Sequence, residues 1–291
     1  MPLCPILSTL QGVARIAGAA GVAVAIAGCM ASAPPAPNPS ALSSARIADI
    51  VASPDRSDAD RVNDRRRKPQ EMLMFIGVRP GMTALDLSAA GGYTTELIAR
   101  AVGPDGRVYG QSPPRPPASG TAQPEGAVQP MATGATPRPS GGMRPSPVAL
   151  AERAKNPNAA NIVAIVRPFE DPAPPDCASN CLDLVTLMFN YHDFGHMGVD
   201  RAAVNRAVFA ALKPGGMYVI ADHSGRPGTG ISESGTLHRI EEAFLRAEVE
   251  RAGFKQVAEG SFLRNPSDPR DRNTPEPPQP KDEFVLKFVK P

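Results

Sequence analysis

The chain has 291 residues, 42% hydrophobic and 21% charged. That is enough for one core of roughly 150–250 residues with chain left over. Its 34 prolines are concentrated in a few stretches, which marks linkers and loops around an ordinary globular domain. A net charge of +2 with no Trp gives no electrostatic footprint for nucleic acid, so no nucleic-acid partner is expected.

The chain opens with the pattern of an export signal. Residues 1–15 carry one basic side chain and no acid, Ile16 to Ile26 is apolar, and Ala27-Gly28-Cys29 closes the run with small residues. The run is too short to cross a bilayer comfortably but suits the core of a secretory signal, cleaved or retained as an anchor. Ile26-Ala27-Gly28-Cys29 resembles the bacterial lipobox. That resemblance implies a signal peptide over 1–28, a lipid on Cys29 and a periplasmic, membrane-anchored protein. Met30 stands where an inner-membrane retention aspartate is usual, which points to the outer membrane. Residues 29–45, rich in Pro, Ala and Ser, read as a flexible tether. Cys4 would leave with the signal, so Cys177 and Cys181 remain. Four positions apart in an oxidising compartment, they are read as a short-loop disulfide rather than a zinc half-site.

The domain follows over 46–291. Short helices are predicted from Arg46 to Val51 and from Gln70 to Gly77, after Pro69. Thr83 to Leu87 is a strand, Thr94 to Val102 a helix and Arg107 to Gln111 a second strand. Residues 112–147 are rich in Pro, Gly, Ser, Ala and Thr without hydrophobic period, and are read as a disordered insertion. A helix near Val148 to Lys155 precedes strands at Asn161 to Val166 and Leu182 to Phe189. Then come a helix from Arg201 to Leu212, a strand from Met217 to Asp222 and one long helix from Thr236 to Ala252. Strands at Phe254 to Ser261 and Glu283 to Val289 end the chain. Helices alternating with strands, then paired strands, give an α/β domain with a mostly parallel, doubly wound sheet and an antiparallel edge. Ligands of such sheets sit beyond the carboxyl ends of the strands.

Asp86 ends the first strand and runs into Ser88, Ala89, Ala90, Gly91, Gly92 and Tyr93 at a helix start. Small residues there let the chain turn sharply and a ligand approach the main chain. This arrangement resembles motif I of class I S-adenosylmethionine-dependent methyltransferases. Ala211-Leu212-Lys213-Pro214-Gly215-Gly216 is similar to that family's step into its fifth strand, and Glu248 to Phe254 to the segment before its sixth. Matches run from about Arg66 to Pro291. Arg67-Lys68-Pro69, Asn190-Tyr191-His192-Asp193, Asp222-His223-Ser224 and Leu237-His238-Arg239-Ile240 resemble a branch of bacterial, often exported, predicted methyltransferases. The resemblance implies a Rossmann-like sheet of seven strands and S-adenosyl-L-methionine as cofactor. It implies that Asp86 orients the cofactor's amino-acid end, with Ser88, Ala90, Gly91, Gly92 and Tyr93 forming the bend around it. Gln111 replaces the acidic residue that grips the ribose. Glu170 and Asp171 stand at the adenine position, or form a solvated turn, and Asn190 is a further contact.

His192 and His223 stand just past the fourth and fifth strands, where either can serve as general base on a small-molecule acceptor. Tyr191 and Asp193 are neighbours able to bind substrate or cofactor, and His238 is read as a cap or packing residue. His192 and His196 are four apart, but Gly195 argues against a helix presenting both as ligands, so no metal is expected. Three functions compete. The first is a methyltransferase. The second is a repurposed, non-catalytic domain, favoured by Ser88, Ala90, Gln111 and by export away from the cofactor. The third is a metal-dependent hydrolase using the histidines.

Overall fold

The computed structural model describes residues 41–115, 146–177, 179–273 and 280–291. The export signal, Cys29, the tether as far as residue 40 and insertion residues 116–145 lie outside these.

Helix α1 (Ser44–Ala52) starts where the Ser43 side chain accepts the Arg46 N–H, and it buries Ile47, Ile50 and Val51 on one face. Helix α2 (Asp58–Arg67) has almost no apolar residue, and hydrophobic patterning gives no sign of it. Its order comes from ends that suit the helix dipole, Asp58 and Asp60 first and Arg65, Arg66 and Arg67 last. Ion pairs from Arg153 to Asp60 and from Arg56 to Asp64 tie it down. Lys68, left-handed at φ 44°, breaks the chain into α3 (Pro69–Ile76), which Gly77 closes.

The remaining elements are β1 (Thr83–Leu87), α4 (Tyr93–Val102), β2 (Arg107–Ser112), α5 (Ser146–Arg153), β3 (Ile162–Val166), β4 (Leu182–Met188), α6 (Asp193–His196), α7 (Arg201–Ala211), β5 (Leu212–His223), α8 (Ser234–Leu237), α9 (Glu242–Arg251), β6 (Lys255–Gly260) and β7 (Glu283–Val289). They build one seven-stranded sheet in the order β3-β2-β1-β4-β5-β7-β6. The pairings among β1 to β5 are parallel, and β7 lies antiparallel between β5 and β6 at that margin of the sheet. Alternate strand residues feed two cores. Ala84, Val108 and Leu184 pack with α1, α3, α4 and α5, while Leu85, Tyr109 and Val185 pack with α7 and α9. The sheet is therefore covered on both faces, as a parallel sheet requires.

Two expected helical features differ. Residues 236–252 do not form one helix. His238 turns left-handed at φ 51°, Arg239 is fully buried against Asp268, and Ile240 bridges to Ser224 before α9 begins. A buried guanidinium must reach its carboxylate, and that tertiary demand overrides the local amphipathic pattern. Conversely, Gly195 does not prevent a helical turn, for α6 spans it. A Cβ there would stand 2.8 Å from Ser234 Oγ, so the glycine is what lets α6 and α8 touch. Cys177 and Cys181 are joined by a disulfide, with their Cα atoms 5.7 Å apart.

Candidate active site at the carboxyl edge

The bend between β1 and α4 takes left-handed backbone at two residues that are not glycine. Ser88 and Ala90 both adopt left-handed backbone, at φ 59° and 47°, followed by Gly92 at 79°. A residue with a Cβ pays roughly 1–2 kcal/mol for that conformation, so the surroundings impose it. The Ser88 N–H is taken by Gln111 Oε1 at 2.9 Å and the Ala89 N–H by the Gln111 carbonyl at 2.9 Å. From α5, Arg153 Nε donates to the Gly91 carbonyl. A Cβ on Gly92 would meet Leu150 and Arg153 at 2.8 Å, whereas a Cβ on Gly91 would meet nothing. One side of the bend is therefore packed and the other is open.

Asp86 lies beneath it, 2% exposed, with one oxygen accepting from Thr95 Oγ1 at 2.6 Å and the other from Thr186 Oγ1 at 2.8 Å. Burial raises its carboxyl to about 6 even though both hydroxyls favour the anion. Tyr93 turns its hydroxyl to Asp64 and lines a cavity of about 20 Å³ with Arg67, Met72, Leu97 and Phe189. Phe189 is itself left-handed at φ 61°, and the Arg67 guanidinium lies 4.0 Å over its ring.

Gln111, fully buried, spends both ends of its amide on the protein. Oε1 holds Ser88 and Nε2 donates to the Arg167 carbonyl at 2.6 Å. Glu170 accepts the Asp200 N–H, and Asp171 pairs with Arg167. The two acidic residues thus serve the turn after β3 and the start of α7. Tyr191 points into the core, bonded to Asn205 and Glu248.

What the structure does bring together is a continuous polar chain across the sheet edge. Ser88 Oγ donates to Asn190 Oδ1 at 2.6 Å, and Asn190 Nδ2 donates to Asp193 Oδ2 at 2.7 Å. Asp193 Oδ1 lies 3.0 Å from His192 Nε2, whose other ring nitrogen is 2.6 Å from Asp222 Oδ1. Asp222, fully buried at the end of β5, also accepts the His192 and His223 backbone N–H groups, each at 2.8 Å. The chain links β2, β1, β4 and β5 through side chains and loops at one edge.

The two candidate bases differ in charge. Burial works against the His192 cation, but the charges of Asp222 and Asp193 outweigh it and raise its pKa to about 9. At neutral pH His192 is an imidazolium with both N–H groups held, a fixed charge rather than a proton acceptor. Burial, with Lys281 and His192 nearby, pushes His223 well below the ordinary histidine value. His223 Nδ1 lies 3.1 Å from Glu283 Oε1 but out of line for a hydrogen bond, so the ring is neutral and lacks a partner on that nitrogen. Its ring stands between Phe189 and His192, with centroids 5.5 and 5.3 Å away. Of the pair, only His223 keeps the form that general-base chemistry needs.

Beside Glu283 a larger cavity of about 290 Å³ is lined by Arg65, Arg66, Lys68, Arg264 and Lys281. Sequence reasoning missed Asp222 as a site residue, although it sits at a strand's carboxyl end, where such residues are expected. It also missed Arg67 and this basic cavity, because the β6–β7 loop meets α2 only in space.

The architecture is that of S-adenosylmethionine-dependent methyltransferases. The chain superposes on the crystal structure of such an enzyme from Aquifex aeolicus with a TM-score of 0.52, at 15% identity, over 86% of this chain and all of that one. It is also similar, at a TM-score of 0.51 and 15% identity, to a chain in the complex of the Haloferax volcanii Trm112 methyltransferase activator with its methyltransferase, covering 86% and 99% of the two chains. No protein-family model matches the sequence, and no curated protein matches it.

Proposed function

We propose that the chain is an S-adenosylmethionine-dependent methyltransferase with a small-molecule acceptor. The observation that carries this is the bend at Ser88–Gly92. Left-handed backbone is kept at Ser88 and Ala90 at a cost in strain, and strain of that kind persists where the surroundings enforce a functional shape. The open side of Gly91 and the buried carboxylate of Asp86 fit the amino-acid end of the cofactor. Bound there, the cofactor would supply an electrophilic sulfonium methyl group.

Ser88, Asn190 and Asp86 would orient the ligand. His223 would take the acceptor's proton, while the His192 cation, neutralised between the Asp222 and Asp193 carboxylates, stays out of the proton transfer. Positioning would supply most of the rate gain and deprotonation a smaller factor. The basic cavity beside Glu283 suits an acceptor that carries negative charge.

A specific observation favours the second reading, a repurposed domain that binds a ligand without turnover. Gln111 has no free amide group for a ribose, and the cavity at Phe189 is far below the several hundred Å³, roughly 300–1,000, of a ligand site. Cofactor entry then requires Phe189 and Arg67 to move. Calorimetry on the purified full chain with S-adenosylmethionine and S-adenosylhomocysteine decides between these readings. Saturable heat that is lost in Gly91→Trp supports the cofactor. Its absence at millimolar ligand, in a protein with a cooperative melt, refutes it.

The chain is further proposed to be exported and anchored through a lipid on Cys29. Cys29→Ser is expected to move the protein from the membrane fraction to the soluble one, and unchanged fractionation refutes the anchor.

A further inference from the structure

All four histidines of the chain gather at one place, although they come from three parts of the sequence. His192 and His196 bracket α6, His223 ends β5 and His238 follows α8. Their rings form a connected set, with centroids 5.3 Å apart for His192–His223, 5.7 Å for His192–His238 and 5.6 Å for His196–His238. Three of them converge on one oxygen. Asp193 Oδ1 has His192 Nε2 at 3.0 Å, His238 Nδ1 at 3.1 Å and His196 Nδ1 at 3.8 Å.

We propose that His192, Asp193 and His238 form a binding site for a divalent transition-metal ion. One atom from each of the three lies within 4.8 Å of the others. Ligands at about 2.0–2.2 Å from zinc stand roughly 3.0–3.5 Å from each other, so an ion would be seated by small rotations of Asp193 and His238 together with displacement of the proton on His192 Nε2. Two imidazoles and one carboxylate suit zinc, cobalt, nickel or iron(II) rather than calcium or magnesium.

The second layer is in place. The Asp222 carboxylate holds His192 at Nδ1, directing Nε2 towards Asp193, which is the carboxylate–histidine–metal arrangement. Asn190 Nδ2 fixes the other Asp193 oxygen. Ser234 accepts the His196 backbone N–H at 2.9 Å and donates to the His192 carbonyl at 2.6 Å, so α6 and α8 hold the ligand set from both sides. The His238 and His196 side chains are 35% and 36% exposed, which leaves an open side for the ion to enter and for water or a ligand oxygen to complete its coordination.

The test of the site needs neither cofactor nor activity. The purified, untagged full chain, stripped with chelator, is titrated with Co²⁺ and read by visible ligand-field absorption and by calorimetry. One equivalent is expected to saturate, and Zn²⁺ is expected to displace it. His238→Ala and Asp193→Asn should abolish this equivalent. Asp222→Asn should weaken binding by roughly 10–100-fold, the usual effect of losing an outer partner. His238 is partly exposed, so its variant is expected to keep its fold, checked by the thermal melt. Absence of saturable absorption overturns the site, and so does a one-equivalent site that survives both His238→Ala and Asp193→Asn.

Discussion

Replacing His192 by Gln tests the charge assignment at the centre of the edge network. Its folded pKa of about 9 lies above the ordinary 6.5, so between those values the folded chain binds one more proton than the unfolded chain. Stability from this group is complete below pH 6.5 and is lost as pH rises through about 9. The slope is about 1.4 kcal/mol per pH unit, and the full loss is about 3 kcal/mol. Lys281, lowered to about 8 first by burial and then by Arg239, acts with opposite sign above pH 8. The clean window is therefore pH 6.5 to 8, across which about 2 kcal/mol should disappear. Urea unfolding of the wild type and of His192→Gln at several pH values isolates the term, since groups remote from His192 cancel in the difference and those coupled to it, His223 and Asp193, are held below the window. The wild type should lose its advantage over the variant by that amount. NMR titration of the ring protons gives the folded pKa directly. Parallel stability curves for the two proteins across the window would show His192 to be neutral, and the two-carboxylate cradle would then be wrong.

Three further outcomes follow from the same geometry. Ala90→Gly removes a left-handed Cβ and should raise stability by about 0.5–1 kcal/mol, read from the urea midpoint; a loss would mean the bend is unstrained. Arg239→Met leaves the fully buried Asp268 without its partner and should cost about 3–5 kcal/mol in thermal unfolding, with an unchanged melt refuting the buried pair. Gly225→Ala puts a Cβ 2.8 Å from the Ile240 carbonyl carbon and 2.9 Å from the Glu241 nitrogen. It should cost about 1–3 kcal/mol and loosen the bridge beside His223, which backbone hydrogen exchange at Ile240 would report.

The strands were legible because their signal is local. Thr83–Leu87 and Glu283–Val289 are short apolar runs bounded by turns, and Gly77 and Gly103 stop helices where their conformations require it. Elements fixed by distant charges were not legible. Helix α2 depends on Arg153, 93 residues away, and the break at His238–Ile240 depends on Asp268. The site divided in the same way. Asp86, the small-residue bend, His192 and His223 were marked by their places at strand ends. Their chemical states were set by groups that sequence order does not associate with them, such as Asp222 with His192, or Gln111 with Ser88.

Asp193 is the residue on which the two halves of the edge depend. One oxygen receives the Asn190 amide, which in turn receives Ser88 from the bend after β1; the other faces His192 and His238. On the proposed reading, a ligand seated on the bend competes for Ser88 Oγ, which links bend and asparagine. Releasing that link leaves Asn190 free to rotate and removes the restraint on Asp193. The carboxylate orientation that fixes the imidazoles is therefore coupled to occupancy of the bend. The coupling runs through two hydrogen bonds, and it would act equally on a proton or a metal ion held between the histidines.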